Sequence, residues 1–312
     1  MKILFLDTTH PLLEEGLVKQ GHQVDFDLHA EKEAIAQKIA DYEGLIVRSR
    51  LPVDAALLAN AKQLQFIGRF GAGLENIDVA FAKEKGITCL RVPEGNRDAV
   101  GEHALGMLLS LFNNLNRADT EVRKGIWLRK ENTGVELQGK TVGVVGYGYM
   151  GSAFVEKLQG FGVKVLIYDK YKSDFAPDWT FETGMRAIFE EADVISLHVP
   201  LTSETRHLIG RDYLLQFRKP IYLINTARGP VVDTAALVEA LKSKKVLGAC
   251  LDVLEYEKTS FETLFESSNL PEPLQYLIHS EKVILSPHIA GWSSESFAKM
   301  AEAMLDKIAA LV

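Results

Sequence analysis

Cysteine is nearly absent from this chain: there are two in 312 residues, Cys89 and Cys250. They lie far apart in apolar surroundings and form no Cys-x-x-Cys pair, which argues against a disulfide framework or a structural zinc site. Both read as small core residues in a reducing compartment. No His/Asp/Glu cluster has zinc-like spacing, so no metal is expected. Long apolar runs are missing too. "MKILFLD" holds four consecutive apolar residues before Asp7, too few for a signal-peptide core. No run approaches the ~20 residues that span a bilayer. The expectation is a cytoplasmic protein without a membrane partner. Positive charge is not in excess, with 35 Lys+Arg against 42 Asp+Glu and a net charge of −7. Such a balance gives no global attraction to nucleic acid, and no nucleic-acid partner is expected. There is no low-complexity tract and no basic tail.

What is present is ordinary globular composition, 47% hydrophobic and 25% charged, at a length that suggests about two domains. Short apolar runs alternate with amphipathic stretches. "KILFLD", "GLIVRS", "LQFIGRF" and "ITCLRV" read as strands. "PLLEEGLVKQG", "VDAALLANA" and "NIDVAFAKEKG" read as the helices between them. Residues 99 to 123 read as one long helix, followed by a polar loop. A second series then begins, with strands at 141–146, 164–169, 193–199, 221–226, 246–253 and 282–287, and residues 293–312 read as a final amphipathic helix. Repeated βα alternation points to parallel sheets covered by helices.

The second series opens on "TVGVVGYGYMG", with Gly146, Gly148 and Gly151 spaced as G-x-G-x-x-G between a strand and a helix. The first glycine allows the tight turn, the second lets backbone approach a pyrophosphate, and the third brings helix close to strand. The helix N-terminus offers N–H groups to the phosphates. The next strand ends in Asp169, 23 residues after Gly146. A carboxylate there accepts hydrogen bonds from a ribose and disfavours a 2′-phosphate, which favours NAD over NADP. Lys170 and Lys172 pull the other way.

Three further segments follow strands of this series, where open α/β sheets gather ligands. They are "NTARG" with Arg228, "LDVLEYE" with Asp252 and Glu257, and "LSPHIAG" with His288. An enzyme that moves a hydride to or from a 2-oxo or 2-hydroxy acid needs three groups from the protein. A bidentate arginine suits the substrate carboxylate. A histidine suits the proton at the carbonyl oxygen. A carboxylate beside that histidine favours the imidazolium and fixes its tautomer. Arg228, His288 and Glu257 supply them, with Glu255 as a second candidate for the carboxylate. His103 reads as structural, and His198 as a residue that packs on the cofactor.

"GKTVGVVGYGYMG", "HVPLT", "INTARGPVVD", "GACLDVLEYE" and "SPHIAG" stand in one order and spacing that resembles the D-isomer-specific 2-hydroxyacid dehydrogenase family nearly end to end. The resemblance implies an α/β fold of two Rossmann/flavodoxin-like domains with parallel sheets and the active site in the interdomain cleft. Residues 1–97 with 288–312 would form the substrate domain, and 98–287 the NAD-binding domain. It implies Arg228 as the substrate-orienting residue, His288 as acid/base and Glu257 as its partner. Tyr149 and Met150 would lie at the pyrophosphate. His198, Val199, Thr226, Ala227, Asp252, Ala290 and Gly291 would line the rest of the cofactor. Backbone at Ala72 and Gly73, in "RFGAGLENID", would receive the substrate carboxylate, with Arg48 and Ser49 nearby. A homodimer is implied.

Arg48, Arg50, Arg69, Arg129 and Lys130 exceed what a small monocarboxylate requires. Within the family this resembles the 3-phosphoglycerate dehydrogenases of serine biosynthesis, in a short form without the regulatory domain, and Arg48 is the expected phosphate contact. The nearest alternatives are glyoxylate or hydroxypyruvate reduction and a D-lactate-type activity. An NAD(H)-sensing binding protein of the same fold is an alternative of another class. Two departures stand out: Lys258 replaces the usual proline after Glu257, and the segment 258–280 is long, reading as a flap, a short helix or a subunit contact.

Overall fold

A computed structural model describes residues 1–257 and 270–311. The chain forms two compact units, one from residues 1–97 with 292–311 and one from residues 98–257 with 270–291. Residues 288–291, which the resemblance assigns to the first domain, fall in the second unit.

The first unit runs β1 (Lys2–Phe5), α1 (Pro11–Lys19), β2 (Gln23–Phe26), α2 (Lys32–Lys38), β3 (Gly44–Val47), α3 (Ala55–Leu58), β4 (Phe66–Arg69), α4 (Val79–Glu84) and β5 (Thr88–Arg91). Its sheet is parallel, in the order β2-β1-β3-β4-β5. That is the flavodoxin-like doubly wound order. Helix α1 starts where His10 accepts the Leu12 N–H and Pro11 presets the first turn, and it buries Leu13 and Leu17. β2 and α2 lie where no element was expected. "QVDF" has only two apolar residues and sits at the sheet edge, so it carries little hydrophobic signal.

Helix α5 (Pro93–Phe112) begins in the first unit and continues into the second, which goes on with α6 (Leu115–Arg123), β6 (Thr141–Val145), α7 (Tyr149–Leu158), β7 (Lys164–Tyr168), β8 (Phe181–Glu182), α8 (Met185–Glu191), β9 (Val194–Leu197), α9 (Arg211–Leu215), β10 (Ile221–Asn225), α10 (Thr234–Lys242), β11 (Val246–Leu251), α11 (Glu272–His279) and β12 (Val283–Leu285). Its seven strands are parallel in the order β12-β11-β10-β9-β6-β7-β8, a Rossmann arrangement extended by one strand. Strand order reverses between β6 and β9, so the ligand crevice of this sheet lies at their carboxyl ends. The helix expected over 99–123 is two helices, because Asn114 takes a left-handed φ of 52° and stops α5 from continuing. Of the 258–280 segment, Glu272–His279 is helix α11; residues 258–269 lie outside the described residues.

The chain closes on α12 (Ser294–Ala309) in the first unit, opened by a capping box between Ser293 and Ser296. Met300, Met304 and Ile308 pack there with Phe5, Phe66 and Phe70. Each such large side chain, fully buried, is worth about 1.5–3 kcal/mol. Both cysteines are free, and Cys250 is in the core.

Candidate active site

The turn after β6 is built around its glycines. Gly146 has φ +92°, and a Cβ there would meet the His198 carbonyl oxygen at 2.6 Å. A Cβ on Gly151 would meet the Gly146 carbonyl oxygen at 2.0 Å. These two close approaches seat α7 between the ends of β6 and β9. Gly148 differs: a Cβ there would meet nothing within 4 Å. The space above it is open, and α7 begins at Gly148 with no side-chain cap among the described residues. Tyr149, exposed, and Met150, half-buried, open its first turn. An open glycine before an uncapped helix start suits a pyrophosphate. Asp169 accepts the Tyr147 N–H at 2.8 Å and the Tyr171 N–H at 2.9 Å, so this carboxylate fixes the glycine turn.

At the end of β9, Ser196 Oγ lies 2.8 Å from His198 Nε2, and Phe154 packs on the ring. Burial pushes the His198 imidazole down to about 3, which keeps it neutral. Val199 follows, against Gly146. His198 Nδ1 and Thr226 Oγ1 are buried and have no partner among the described residues. β9 and β10 are paired neighbours, so these two orphaned atoms sit on adjacent strand ends. Buried polar groups without partners are rare and mark a place for a hydrogen-bonding ligand. Together with the open Gly148, they fit a dinucleotide.

The buried Asn225 shapes the "TARG" turn. Its side chain accepts the Ala227 N–H and donates to the Arg228 carbonyl, both at 3.0 Å. Arg228 is extended, at φ −144° and ψ 140°, and its Nη1 donates to the Ala227 carbonyl at 2.7 Å. A Cβ on Gly229 would meet the Leu254 carbonyl oxygen at 1.9 Å. The arginine turn and the "LEYE" segment therefore touch backbone to backbone, which only glycine permits.

Asp252 anchors the third segment. Its carboxylate accepts from Ser286 Oγ at 2.6 Å and from the Ile289 and Ala290 N–H groups at 2.9 Å each. His103 Nε2 lies 2.9 Å from Ser286 Oγ and 3.6 Å from the same Asp252 oxygen, so the three groups form one cluster. The turn held this way puts His288 at φ 55°, in the left-handed region that few residues other than glycine enter. His288 Nδ1 then lies 2.8 Å from Glu257 Oε2, while Glu257 Oε1 accepts the Leu254 N–H. Glu255 is engaged elsewhere, 2.6 Å from His207 Nε2 and accepting the Thr234 N–H at 3.0 Å. Glu257 can only accept as a carboxylate, so Nδ1 donates and Nε2 is the ring nitrogen not committed to it. Gly291 directly follows this turn. Sequence reasoning did not pick out Asn225, Ser286 or the Glu255–His207 pair. The signal for Asn225 was an amide closing an apolar strand.

In the first unit, Arg48 and Ser49 follow β3, and Ala72 and Gly73 follow its neighbour β4. Asn76 Nδ2 donates to the Arg48 carbonyl at 2.9 Å and joins the two turns. The Arg48 guanidinium stacks on Trp292 at 4.6 Å and Phe297 at 5.0 Å. Burial pushes it down, with Asp7 opposing. Arg50 is not a ligand candidate in this geometry. Its three donor nitrogens cap the carbonyls of Leu6, Ala30 and Asp27 at 2.9 to 3.0 Å. Arg129 and Lys130 are exposed. Among the described residues, no group of three His/Cys/Asp/Glu could hold a metal, and no helix is long and apolar enough to cross a membrane.

A Rossmann sheet with an open glycine turn, and a histidine–carboxylate pair at its strand ends, defines a nucleotide-dependent dehydrogenase site. The family described as "D-isomer specific 2-hydroxyacid dehydrogenase, NAD binding domain" matches residues 105–290. The chain is 37% identical over 308 residues to a glyoxylate reductase of Thermofilum pendens, covering 94% of this chain and 87% of the relative. It is 34% identical over 304 residues to a D-3-phosphoglycerate dehydrogenase of Archaeoglobus fulgidus, where it covers 95% of this chain but spans about half (54%) of the relative's length. A D-lactate dehydrogenase of Aquifex aeolicus, solved with NAD and lactic acid, superimposes with a TM-score of 0.83 at 29% identity, covering 100% of this chain and 95% of that one. The chain belongs to the D-isomer specific 2-hydroxyacid dehydrogenase family of NAD-dependent enzymes.

Proposed function

We propose that this chain interconverts a D-2-hydroxy acid and its 2-oxo acid, with 3-phosphoglycerate and 3-phosphohydroxypyruvate as the substrate pair. The observation that carries the reaction is the His288–Glu257 contact of 2.8 Å on a turn anchored by Asp252. Bound NAD supplies the hydride acceptor or donor. In oxidation His288 Nε2 takes the hydroxyl proton, and in reduction it returns it. Glu257 holds the ring through Nδ1 and balances the imidazolium charge. Arg228 orients the substrate carboxylate. The backbone at Ala72 and Gly73 and the Arg48 guanidinium hold the anionic ends.

The phosphate reading rests on Arg48, an arginine held on two aromatic faces with no side-chain acceptor among the described residues. The rival reading is reduction of glyoxylate or hydroxypyruvate. Two facts favour it: the cap role of Arg50 reduces the cations available, and two relatives at 35% and 37% identity carry those names. Steady-state kinetics with NADH over phosphohydroxypyruvate, hydroxypyruvate, glyoxylate and pyruvate tests this. A higher kcat/KM for the phosphorylated acid is expected, and equal values would refute the phosphate reading. Tight NADH binding with no turnover on any of them would favour a sensing role. A cytoplasmic homodimer in serine biosynthesis completes the reading. An exposed apolar strip supports the dimer: Leu115 and Val122 on α6, then Ile126, Leu128 and Trp127, the last 74% exposed.

A further inference from the structure

A carboxylate at the end of the second Rossmann strand disfavours a 2′-phosphate, whereas a nearby cation accommodates one. This chain has both, because Lys170 and Lys172 follow Asp169 directly. The structure places each lysine on another group. Lys172 Nζ donates to the Tyr147 carbonyl at 2.6 Å, which pins the glycine turn. Lys170 Nζ donates to Glu204 Oε2 at 2.5 Å. The Tyr171 hydroxyl donates to the same oxygen at 3.2 Å, while its backbone N–H is on Asp169 at 2.9 Å. Glu204 comes from the loop after β9, the strand that forms the other wall of the ligand crevice. Lys170, Tyr171 and Glu204 therefore form one bridge beside the ribose-binding carboxylate. The pairing also pulls Glu204 down and Lys170 up from their ordinary values, so both stay charged.

We infer that Glu204 is a cofactor-specificity residue: it holds Lys170 off the 2′ position of the adenine ribose and adds a second negative charge beside Asp169. Asp169, Glu204, Lys170 and Lys172 sum to zero charge, so nothing attracts a dianionic 2′-phosphate. Neutralising Glu204 leaves this edge with one net positive charge and a free ammonium. An ammonium on a flexible stem reaches a phosphate without needing fixed geometry.

The test is calorimetric binding of two adenosine probes, adenosine 2′,5′-bisphosphate and adenosine 5′-phosphate, which needs no turnover. Glu204→Gln is expected to shift the ratio of their dissociation constants roughly fivefold toward the 2′-phosphorylated probe, the size of an exposed charge contact. Lys170→Ala alone is expected to move that ratio away from the 2′-phosphorylated probe, because it leaves the edge with one net negative charge and Glu204 unpaired by Lys170. In the Glu204→Gln background the same change removes the gain. Glu204 is exposed, so the variant keeps its fold. An unchanged ratio in Glu204→Gln, or a shift toward the 2′-phosphorylated probe on Lys170→Ala in the otherwise native chain, would overturn the inference.

Discussion

Replacing Asp252 by alanine should damage the second unit more than any neighbouring polar substitution. The side chain is 1% exposed and accepts three hydrogen bonds, from Ser286 Oγ and from the Ile289 and Ala290 N–H groups. Bonds to a charged acceptor contribute about 1.5–3 kcal/mol each, but the partners are not equally stranded by its loss. Ser286 keeps His103 at 2.9 Å. Ile289 is 36% exposed, so less of the penalty falls on its N–H. Ala290 is 4% exposed, and its N–H is left buried and unpaired, at about 1–3 kcal/mol. The net loss should be about 3–5 kcal/mol, or a fall in Tm of about 10 °C. The loss should also reach turnover. The Asp252 carboxylate holds the turn in which His288 sits at φ 55°; without it that residue relaxes and leaves Glu257. Asp252→Asn retains an acceptor oxygen and should fall between the two. Thermal unfolding and steady-state kinetics on the same preparations measure both effects. If the alanine variant melts within about 2 °C of the native protein, the anchoring role is wrong.

His288→Asn should lower kcat by about 10²–10⁴ while NADH binding by fluorescence stays near native; native turnover would remove His288 from the chemistry. Arg228→Ala should raise KM for the acid and lower kcat, and an unchanged KM would mean that the carboxylate binds elsewhere. Gly151→Ala places a methyl 2.0 Å from the Gly146 carbonyl oxygen, so α7 must shift. At least tenfold weaker NAD binding and about 2 kcal/mol lower stability are expected, read by calorimetry and urea unfolding. Burial holds His198 at about 3, below its ordinary value near 6.5. Between those two pH values the unfolded chain binds a proton that the native state does not, so stability falls as pH falls through this window. By pH 4.5 the loss from this group is about 3 kcal/mol, and a His198→Asn variant should show a correspondingly shallower acid slope in urea midpoints.

Six strands of the second unit were legible because buried parallel strands are near-continuous apolar runs, as in "TVGVV" and "IYLIN". β2 and the two-residue β8 were not, since an edge strand such as "QVDF" buries too little to show a pattern. The break at Asn114 escaped for a related reason. Helix periodicity carries across it, and a single left-handed residue leaves no mark in hydrophobic spacing.

The site divides the same way. Residue types and spacing alone put forward the glycine turn, Arg228, His288 and a carboxylate in "LEYE" as candidates, because the chemistry admits few alternatives for each role. The resemblance implied Glu257 before Glu255 as the partner of His288, but only the tertiary structure shows what separates the two. Glu255 and Glu257 are two residues apart, and the backbone path of that segment sends one to His207 and the other to His288. The cations divide likewise. Arg48 and Arg50 look alike in "VRSR", yet one stacks on Trp292 and Phe297 from far along the chain, and the other caps three carbonyls. Sequence names the groups able to do the chemistry. Burial, register and the competition for hydrogen-bond partners decide which of them are left to do it.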